Sequence, residues 1–166
     1  MTQTRLLKFL KFCPKSNLFY LVKKLMSLYL KKLFFENLNL AKGGNKRSQF
    51  IIGSMYESGI GTNQNYNEAI KWYKKAAKRG HSMASNKIGV FFNNGYGVNI
   101  NHKKALKWFL KAAKSGNVKA QATLSIIYCF GEEIKTNYVQ AYKWATLANQ
   151  NGFKPAKKQM LVLEKK

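Results

Sequence analysis

Apolar residues recur along this chain at helical spacing, and lysines occupy many of the positions between them. Residues 65–80 give the clearest example, because Ala69, Trp72 and Ala76 fall on one face of a helix. The lysines of the same segment are Lys71, Lys74, Lys75 and Lys78. They fall mostly outside the apolar face, and this division is typical of an amphipathic helix at a protein surface.

A second apolar stripe precedes each of these helices. In residues 81–94 it consists of Ala84, Ile88 and Phe92, with Gly89 beside Ile88. Glycine weakens a helix, so its presence here predicts close contact with another helix. The Gly-x-Gly segments that follow the stripe are residues 59–61 and 95–97. Since glycine tolerates positive φ, these segments predict tight connections between paired helices.

The helix pairs repeat with a period of 36 residues, which is the spacing of Trp72, Trp108 and Trp144. Chance does not produce so many ladders with one period. The recurring positions are Gly53, Tyr56, Gly59, Ala69, Trp72, Ala76, Gly80, Gly89, Phe92, Gly95, Ala105, Trp108, Ala112, Gly116, Tyr128, Gly131, Ala141, Trp144, Ala148 and Gly152. The predicted units are a basic N-terminal segment at 1–44, repeats at 45–80, 81–116 and 117–152, and a partial repeat or capping helix at 153–166.

The second helix of each repeat carries capping signals at both ends. Asn65, Asn101 and Asn137 come just before it, where an asparagine side chain accepts hydrogen bonds from free backbone N–H groups. A glycine follows it in every unit, as expected where a helix ends in the left-handed conformation. These glycines are Gly80, Gly116 and Gly152.

These residues resemble the Sel-1-like repeat, a relative of the tetratricopeptide repeat, over residues 45–152. The second unit carries the family's pattern as Ala84, Ile88-Gly89, Phe92, Gly95, Gly97-Val98, Ala105, Trp108-Phe109, Lys111-Ala112-Ala113 and Gly116. The resemblance implies an all-α fold in which antiparallel helix pairs stack into a right-handed α-solenoid. It also implies an adaptor or scaffold that binds a protein or peptide and catalyses no reaction.

The first helices differ between units at positions that point away from the predicted inner stripe at 48, 52 and 56. We predict partner contacts at these positions, which are Arg47, Ile51, Ser54 and Ser58, then Met83, Lys87, Val90 and Asn94, then Lys119, Thr123, Ile126 and Phe130. Basic residues at one end and apolar residues deeper in would suit a peptide with a hydrophobic stretch and some acidic residues. Ordinary surface residues would give the same pattern, so that alternative stays open.

The charge of the chain is strongly unbalanced, with 30 Lys and Arg against 6 acidic residues and a formal net charge of +24. A lysine ridge is predicted on the second helices, formed by Lys71, Lys74, Lys75, Lys78, Lys103, Lys104, Lys107, Lys111 and Lys114. The alternative function is therefore binding of a polyanion, either nucleic acid or an anionic membrane. We favour the interpretation of the lysine ridge as a solvated surface, because the basic residues are almost all Lys. Specific phosphate recognition usually depends on Arg.

Residues 1–44 fit the repeat pattern poorly, although Tyr20, Ala41 and Gly44 fall on its ladders. A degenerate repeat that covers the first hydrophobic face is one interpretation. A basic amphipathic helix on an anionic membrane is the other, since nine basic residues and one acid give this segment a net charge of +8. We favour the capping repeat.

Residues with catalytic or metal-binding chemistry are few and scattered. The chain has no Asp, and His81 and His102 fall at repeat boundaries or helix starts, where solvent exposure is expected. Cys13 and Cys129 are far apart, so neither a metal site nor a disulfide framework is predicted. The adjacent glutamates at 132–133 are expected on an exposed loop. We therefore predict no catalytic residue, metal, cofactor or small-molecule substrate, and an unrecognised hydrolase is the least favoured alternative.

No uncharged apolar run approaches the roughly 20 residues needed to cross a bilayer. The longest uncharged stretch near the N-terminus, residues 16–22, is short for a signal-peptide core. We predict a cytoplasmic protein. Secretion without a classical signal peptide and peripheral membrane association are the alternatives.

Overall fold

The computed structural model describes residues 15–131 and 134–163, and within these ranges every regular element is an α-helix. The helices are α1 (Lys15–Lys42), α2 (Lys46–Ser58), α3 (Tyr66–Lys78), α4 (Ser82–Asn94), α5 (His102–Lys114), α6 (Val118–Phe130), α7 (Tyr138–Gln150) and α8 (Ala156–Leu163). The predicted all-α fold is confirmed. Helices α2 to α7 each contain 13 residues, as expected of a regular repeat.

The helices pack mainly against their neighbours in the chain, which is the arrangement of a solenoid. The strongest packing is within the pairs α2–α3, α4–α5 and α6–α7, and the pairs then stack on one another. Alanine makes this stacking close, because Ala69, Ala76 and Ala84 are buried and so are their counterparts in the later repeats. The core is therefore a continuous layer shared between adjacent repeats.

Small residues in the first helices lie against aromatic rings of the second helices. A Cβ atom at Gly53 would lie 2.6 Å from the Tyr73 ring, and one at Gly89 would lie 2.6 Å from the Phe109 ring. Both rings are buried. The close helix contact predicted at these glycines is therefore present.

The inner stripe of the first helices differs from the predicted one at its last position. The predicted residue Phe92 is half-buried, whereas its neighbour Phe91 is fully buried, and Met55 is likewise more buried than Tyr56. The reason is helical geometry, because two successive steps of four residues drift off a face that has about 3.6 residues per turn. Steps of four and then three, as in 84, 88 and 91, stay on the face.

Asparagine caps the second helices as predicted. The Oδ1 atoms of Asn65, Asn101 and Asn137 accept hydrogen bonds from the third backbone N–H after them, at 3.0, 2.8 and 2.9 Å. The glycines that follow these helices adopt positive φ, as predicted: Gly80 (80°), Gly116 (81°) and Gly152 (93°). Both ends of each second helix are thus stabilised by the local sequence.

The first helices also carry N-terminal caps, which the sequence analysis did not identify. Asn45 and Asn117 cap α2 and α6, and His81 occupies the equivalent position before α4. The His81 Nδ1 atom accepts from the Ala84 backbone N–H at 3.3 Å, and its ring stacks on Phe50 at 4.6 Å between ring centroids. The expectation that His81 is simply solvated was wrong, because the fold uses its ring as a cap.

Helix α1 is about twice as long as the others. Its residues 30–42 occupy the place of a second helix, one period before α3, and Phe34 and Ala41 pack there with Ile52 and Trp72. Residues 15–29 continue in the same helix instead of turning back. Residues 1–14 of the predicted N-terminal segment lie outside the described residues.

Candidate functional site

A cleft of about 500 Å³ lies between the first helices of the second and third repeats. Helices α4 and α6 form its walls, and α5 supplies its floor. Its lining residues are Val90, Asn93, Asn94, His102, Phe109, Thr123, Ile126, Ile127, Phe130, Gly131 and Ile134. The cleft is open to solvent, and we call it the groove.

Five of the predicted contact residues meet in this groove: Val90, Asn94, Thr123, Ile126 and Phe130. Ile126 is 47% exposed and Phe130 is 70% exposed, although both are large apolar side chains. Burying such a side chain fully contributes about 1.5–3 kcal/mol. One wall of the groove therefore has exposed apolar surface that could still be buried.

One edge of the groove is polar. Asn93 Nδ2 donates to Asn94 Oδ1 at 2.8 Å, and His102 Nδ1 lies 3.1 Å from Asn93 Oδ1. Amide side chains both donate and accept hydrogen bonds, so such an edge can pair with the backbone of a bound chain. Sequence reasoning missed Asn93 and His102 because neither lies on the chosen stripe of the first helices.

The remaining predicted contact residues lie outside the groove. Met83 and Lys119 are exposed near the N-terminal ends of α4 and α6, and Arg47 is exposed at the start of α2. Ile51 is half-buried against the cluster that α1 covers. Ser54 lies in α2, where its carbonyl accepts from the Ser58 hydroxyl at 2.9 Å.

Lys87, another predicted contact, is held by an ion pair between repeats. Its Nζ lies 2.7 Å from Glu57 Oε1, and the two side chains are partly buried. The other carboxylate oxygen of Glu57 accepts from the Tyr73 hydroxyl. Burial, followed by this hydrogen bond to Glu57, raises the pKa of Tyr73 well above its ordinary value, so the phenol stays protonated and donates. Lys87 thus joins the second repeat to the first.

The lysines of the predicted ridge are exposed on the second helices. Several of them lie over aromatic rings, with Lys75 Nζ 4.0 Å from the Trp72 ring centroid and Lys111 Nζ 5.1 Å from that of Trp108. These are cation–π contacts, in which the ammonium group lies over the face of the ring. The ridge therefore has a structural role beside its charge.

Metal and membrane-spanning features are absent from the parts of the chain that the structure describes. No group of three His, Cys, Asp or Glu side chains there is arranged to hold a metal ion. None of the described helices has the length and apolar character that crossing a bilayer requires. Cys129 is a free, partly buried thiol. Cys13 and the glutamates at 132–133 lie outside the described residues.

Solved structures with the same architecture contain related repeats. A Sel1 repeat protein from Oxalobacter formigenes is 29% identical, with a TM-score of 0.74, and the match covers 78% of this chain and 53% of that one. The protein c5321 of uropathogenic Escherichia coli, a protective antigen with an SLR fold, is 27% identical, with a TM-score of 0.73, over 79% of this chain and 28% of that one. This chain therefore spans about half or less of the length of these relatives.

The sequence also matches a family model directly. The Sel1 repeat matches three times, at residues 46–81, 82–117 and 118–153, one residue later than each unit identified from the ladders. A comparison with curated proteins found no match. The resemblance inferred from the repeat motifs and the predicted α-solenoid are both confirmed. Since the three matches cover more than half of the residues, the chain belongs to the Sel1 repeat family.

Proposed function

We propose that this chain is a non-catalytic interaction module that binds a peptide segment of a partner protein in the groove between α4 and α6. Sel1 repeat proteins generally mediate protein–protein interactions, and the fold is typically a scaffold. The observation that carries the proposal is the cleft itself, with the exposed side chains of Ile126 and Phe130 along its wall. Large apolar side chains held in a cleft are typical of binding hot spots.

The groove favours a ligand with three features. An apolar side chain of the peptide fits between Val90 and the wall formed by Ile126 and Phe130. The amides of Asn93 and Asn94 pair with the peptide backbone. Acidic residues beside the apolar one are attracted by Lys119 at the end of α6 and by the net charge of +24, which mainly accelerates association.

Catalytic groups are few in the part of the groove lining that the structure describes. Its lining contains no carboxylate among the described residues, and the Thr123 hydroxyl donates to the Lys119 carbonyl at 2.9 Å. His102 Nδ1 lies 3.1 Å from the Asn93 amide oxygen. A nucleophile, a base and an orienting group are all required for triad chemistry. The groove is therefore suited to binding.

Polyanion binding through the lysine ridge is the competing function, and the exposure of these lysines is the observation that favours it. Binding of this kind depends on phosphate neutralisation and weakens steeply with salt. Substitutions in the groove, which lies between the first helices, would leave the affinity for a polyanion unchanged. Salt dependence and groove substitutions therefore separate the two functions.

Selection of displayed peptides tests the proposal. A random peptide library is panned in parallel, at moderate salt, against the folded protein and against the double variant Ile126→Ser, Phe130→Ser. We expect enrichment of peptides with a large apolar residue flanked by acids. Enrichment of acidic peptides without an apolar residue, bound equally by both proteins, would contradict the groove.

A further inference from the structure

The N-terminal part of α1, residues 15–29, carries a large apolar surface outside the solenoid. We call this segment the α1 extension. Its exposed large side chains are Phe19, Tyr20, Val22, Leu25, Met26, Leu28 and Tyr29. Leu25 is 65% exposed and Tyr29 is 61% exposed. Contiguous apolar surface of this kind marks a binding site.

Most large side chains of the α1 extension are exposed, although Leu18 and Leu21 are half-buried. The buried side chains of α1 are Phe34 and Ala41, both in its C-terminal half. The Leu30 carbonyl lies against Gly61 in the loop after α2. The part of α1 that corresponds to a second helix of 13 residues begins at residue 30, and the extension precedes it.

Apolar and basic residues occupy different sides of the α1 extension. Leu18, Leu21, Leu25 and Leu28 follow one another at spacings of three and four, so they share a face of the helix. Val22 and Tyr29 widen that face. The lysines of residues 18–29, Lys23 and Lys24, fall on the other side, as does Lys31 just beyond the extension. Lys23 Nζ lies 4.5 Å from the Phe19 ring centroid. The first acidic residue along α1 is Glu36, so the extension itself is purely basic.

We infer that the α1 extension docks this protein on the surface of an anionic lipid bilayer, with the helix lying in the plane of the interface. An apolar face with lysines on the opposite side is the pattern of interfacial helices. Lysine ammonium groups reach anionic headgroups while the apolar face enters the acyl boundary. Two copies pairing through these faces would bring two purely basic helices together, and that repulsion disfavours a second copy as the occupant.

This docking surface is independent of the groove between α4 and α6. The α1 extension precedes the first repeat, whereas the groove belongs to the second and third repeats. A partner peptide and a bilayer therefore engage different helices. The protein would present its groove at a membrane surface.

Vesicle co-sedimentation of the full chain tests the inference. The vesicles are phosphatidylcholine alone, or phosphatidylcholine with phosphatidylserine, at near-physiological salt. We expect binding to the anionic vesicles and at least about a tenfold weaker association with the neutral ones. The variant Leu25→Ala, Tyr29→Ala keeps the helix propensity and adds no charge, and we expect it to weaken binding to anionic vesicles about tenfold or more.

A matched control removes two exposed apolar side chains elsewhere. The variant Val139→Ala, Leu161→Ala changes α7 and α8, and we expect it to bind vesicles like the unmodified protein. The groove variant Phe130→Ala should also leave vesicle binding unchanged, so the docking inference and the proposed function fail separately. Circular dichroism of each variant checks that the helices are intact.

Two results would overturn the inference. If Leu25→Ala, Tyr29→Ala bound anionic vesicles as tightly as the unmodified protein, charge alone would explain the attraction. The second result is that the unmodified protein binds neither kind of vesicle and forms a dimer instead. If Leu25→Ala, Tyr29→Ala abolished that dimer, the apolar face would bind a second copy.

Discussion

Gly89 of α4 lies directly against the ring of Phe109 in α5, and a Cβ atom at Gly89 would come within 2.6 Å of that ring. Gly53 and Tyr73 make the same contact one repeat earlier. In the third repeat the equivalent residues are Ser125 and Ala145, both fully buried. The larger residue of the first helix thus accompanies a much smaller residue of the second helix in the third repeat.

The first prediction follows from this contact. Gly89→Ala should lower the free energy of unfolding by about 1–2 kcal/mol, because overpacking against a buried ring costs about 1–3 kcal/mol and outweighs the helix propensity gained. Chemical denaturation measures the change. Ser125→Ala is the matched control and should be neutral or stabilising, because its buried hydroxyl makes no hydrogen bond among the described residues. Equal effects of the two substitutions would contradict the account.

The second prediction concerns the link between the first two repeats. Tyr73→Phe should destabilise the protein by about 1–3 kcal/mol, because it removes a hydrogen bond to the partly buried Glu57 carboxylate and leaves that oxygen without its donor. Thermal unfolding checks this. Tyr96→Phe serves as the control, since its exposed ring can keep its stacking on Tyr66. If Tyr73→Phe left the melting temperature unchanged, the hydrogen bond from Tyr73 to Glu57 would not contribute to stability.

The third prediction is a pH dependence that originates at His81. Burial, and secondarily the charge of Lys46, lowers the pKa of His81 below its ordinary value of 6.5, so its Nδ1 is free of a proton and accepts from Ala84. A pKa that is lower in the folded than in the unfolded state gives stability that is present above pH 6.5 and lost as the pH falls below it. Protonation also removes the cap, which contributes about 1 kcal/mol.

Comparing the melting temperature of the unmodified protein with that of His81→Asn between neutral and mildly acidic pH tests this prediction. Asparagine caps the equivalent helices at positions 45 and 117, so the variant should keep the cap and lose this part of the acid sensitivity. Identical acid sensitivity in the two proteins would contradict the role of His81.

Local signals in the sequence predict the repeats well. The period set by Trp72 and Trp108 locates the helix pairs, and the asparagine and glycine caps locate the ends of the second helices, because capping depends on residues a few positions apart. The close approach at Gly89 is also visible, since glycine inside a helix needs a packing reason.

Contacts between repeats are much harder to predict. Glu57 and Lys87 form their ion pair between two repeats, and the equivalent positions one repeat later are Asn93 and Thr123, so the pair leaves no ladder in the sequence. Phe109 contributes to the floor of the groove and His102 to its polar edge. Both residues lie on α5, a second helix whose apolar face was expected in the core. Both features depend on how neighbouring repeats are rotated against each other. That rotation is set by packing and not by local sequence.

A calorimetric titration of a selected peptide tests the central claim, that the groove between α4 and α6 binds a partner. The unmodified protein, Phe130→Ala and Val139→Ala are compared at low and high salt. Phe130 and Val139 are 70% and 78% exposed, so neither substitution should unfold the protein. The account predicts that Phe130→Ala weakens binding about tenfold or more, equivalent to about 1.4 kcal/mol, and that Val139→Ala changes nothing at either salt. Equal affinities for all three proteins, all lost at high salt, would contradict it.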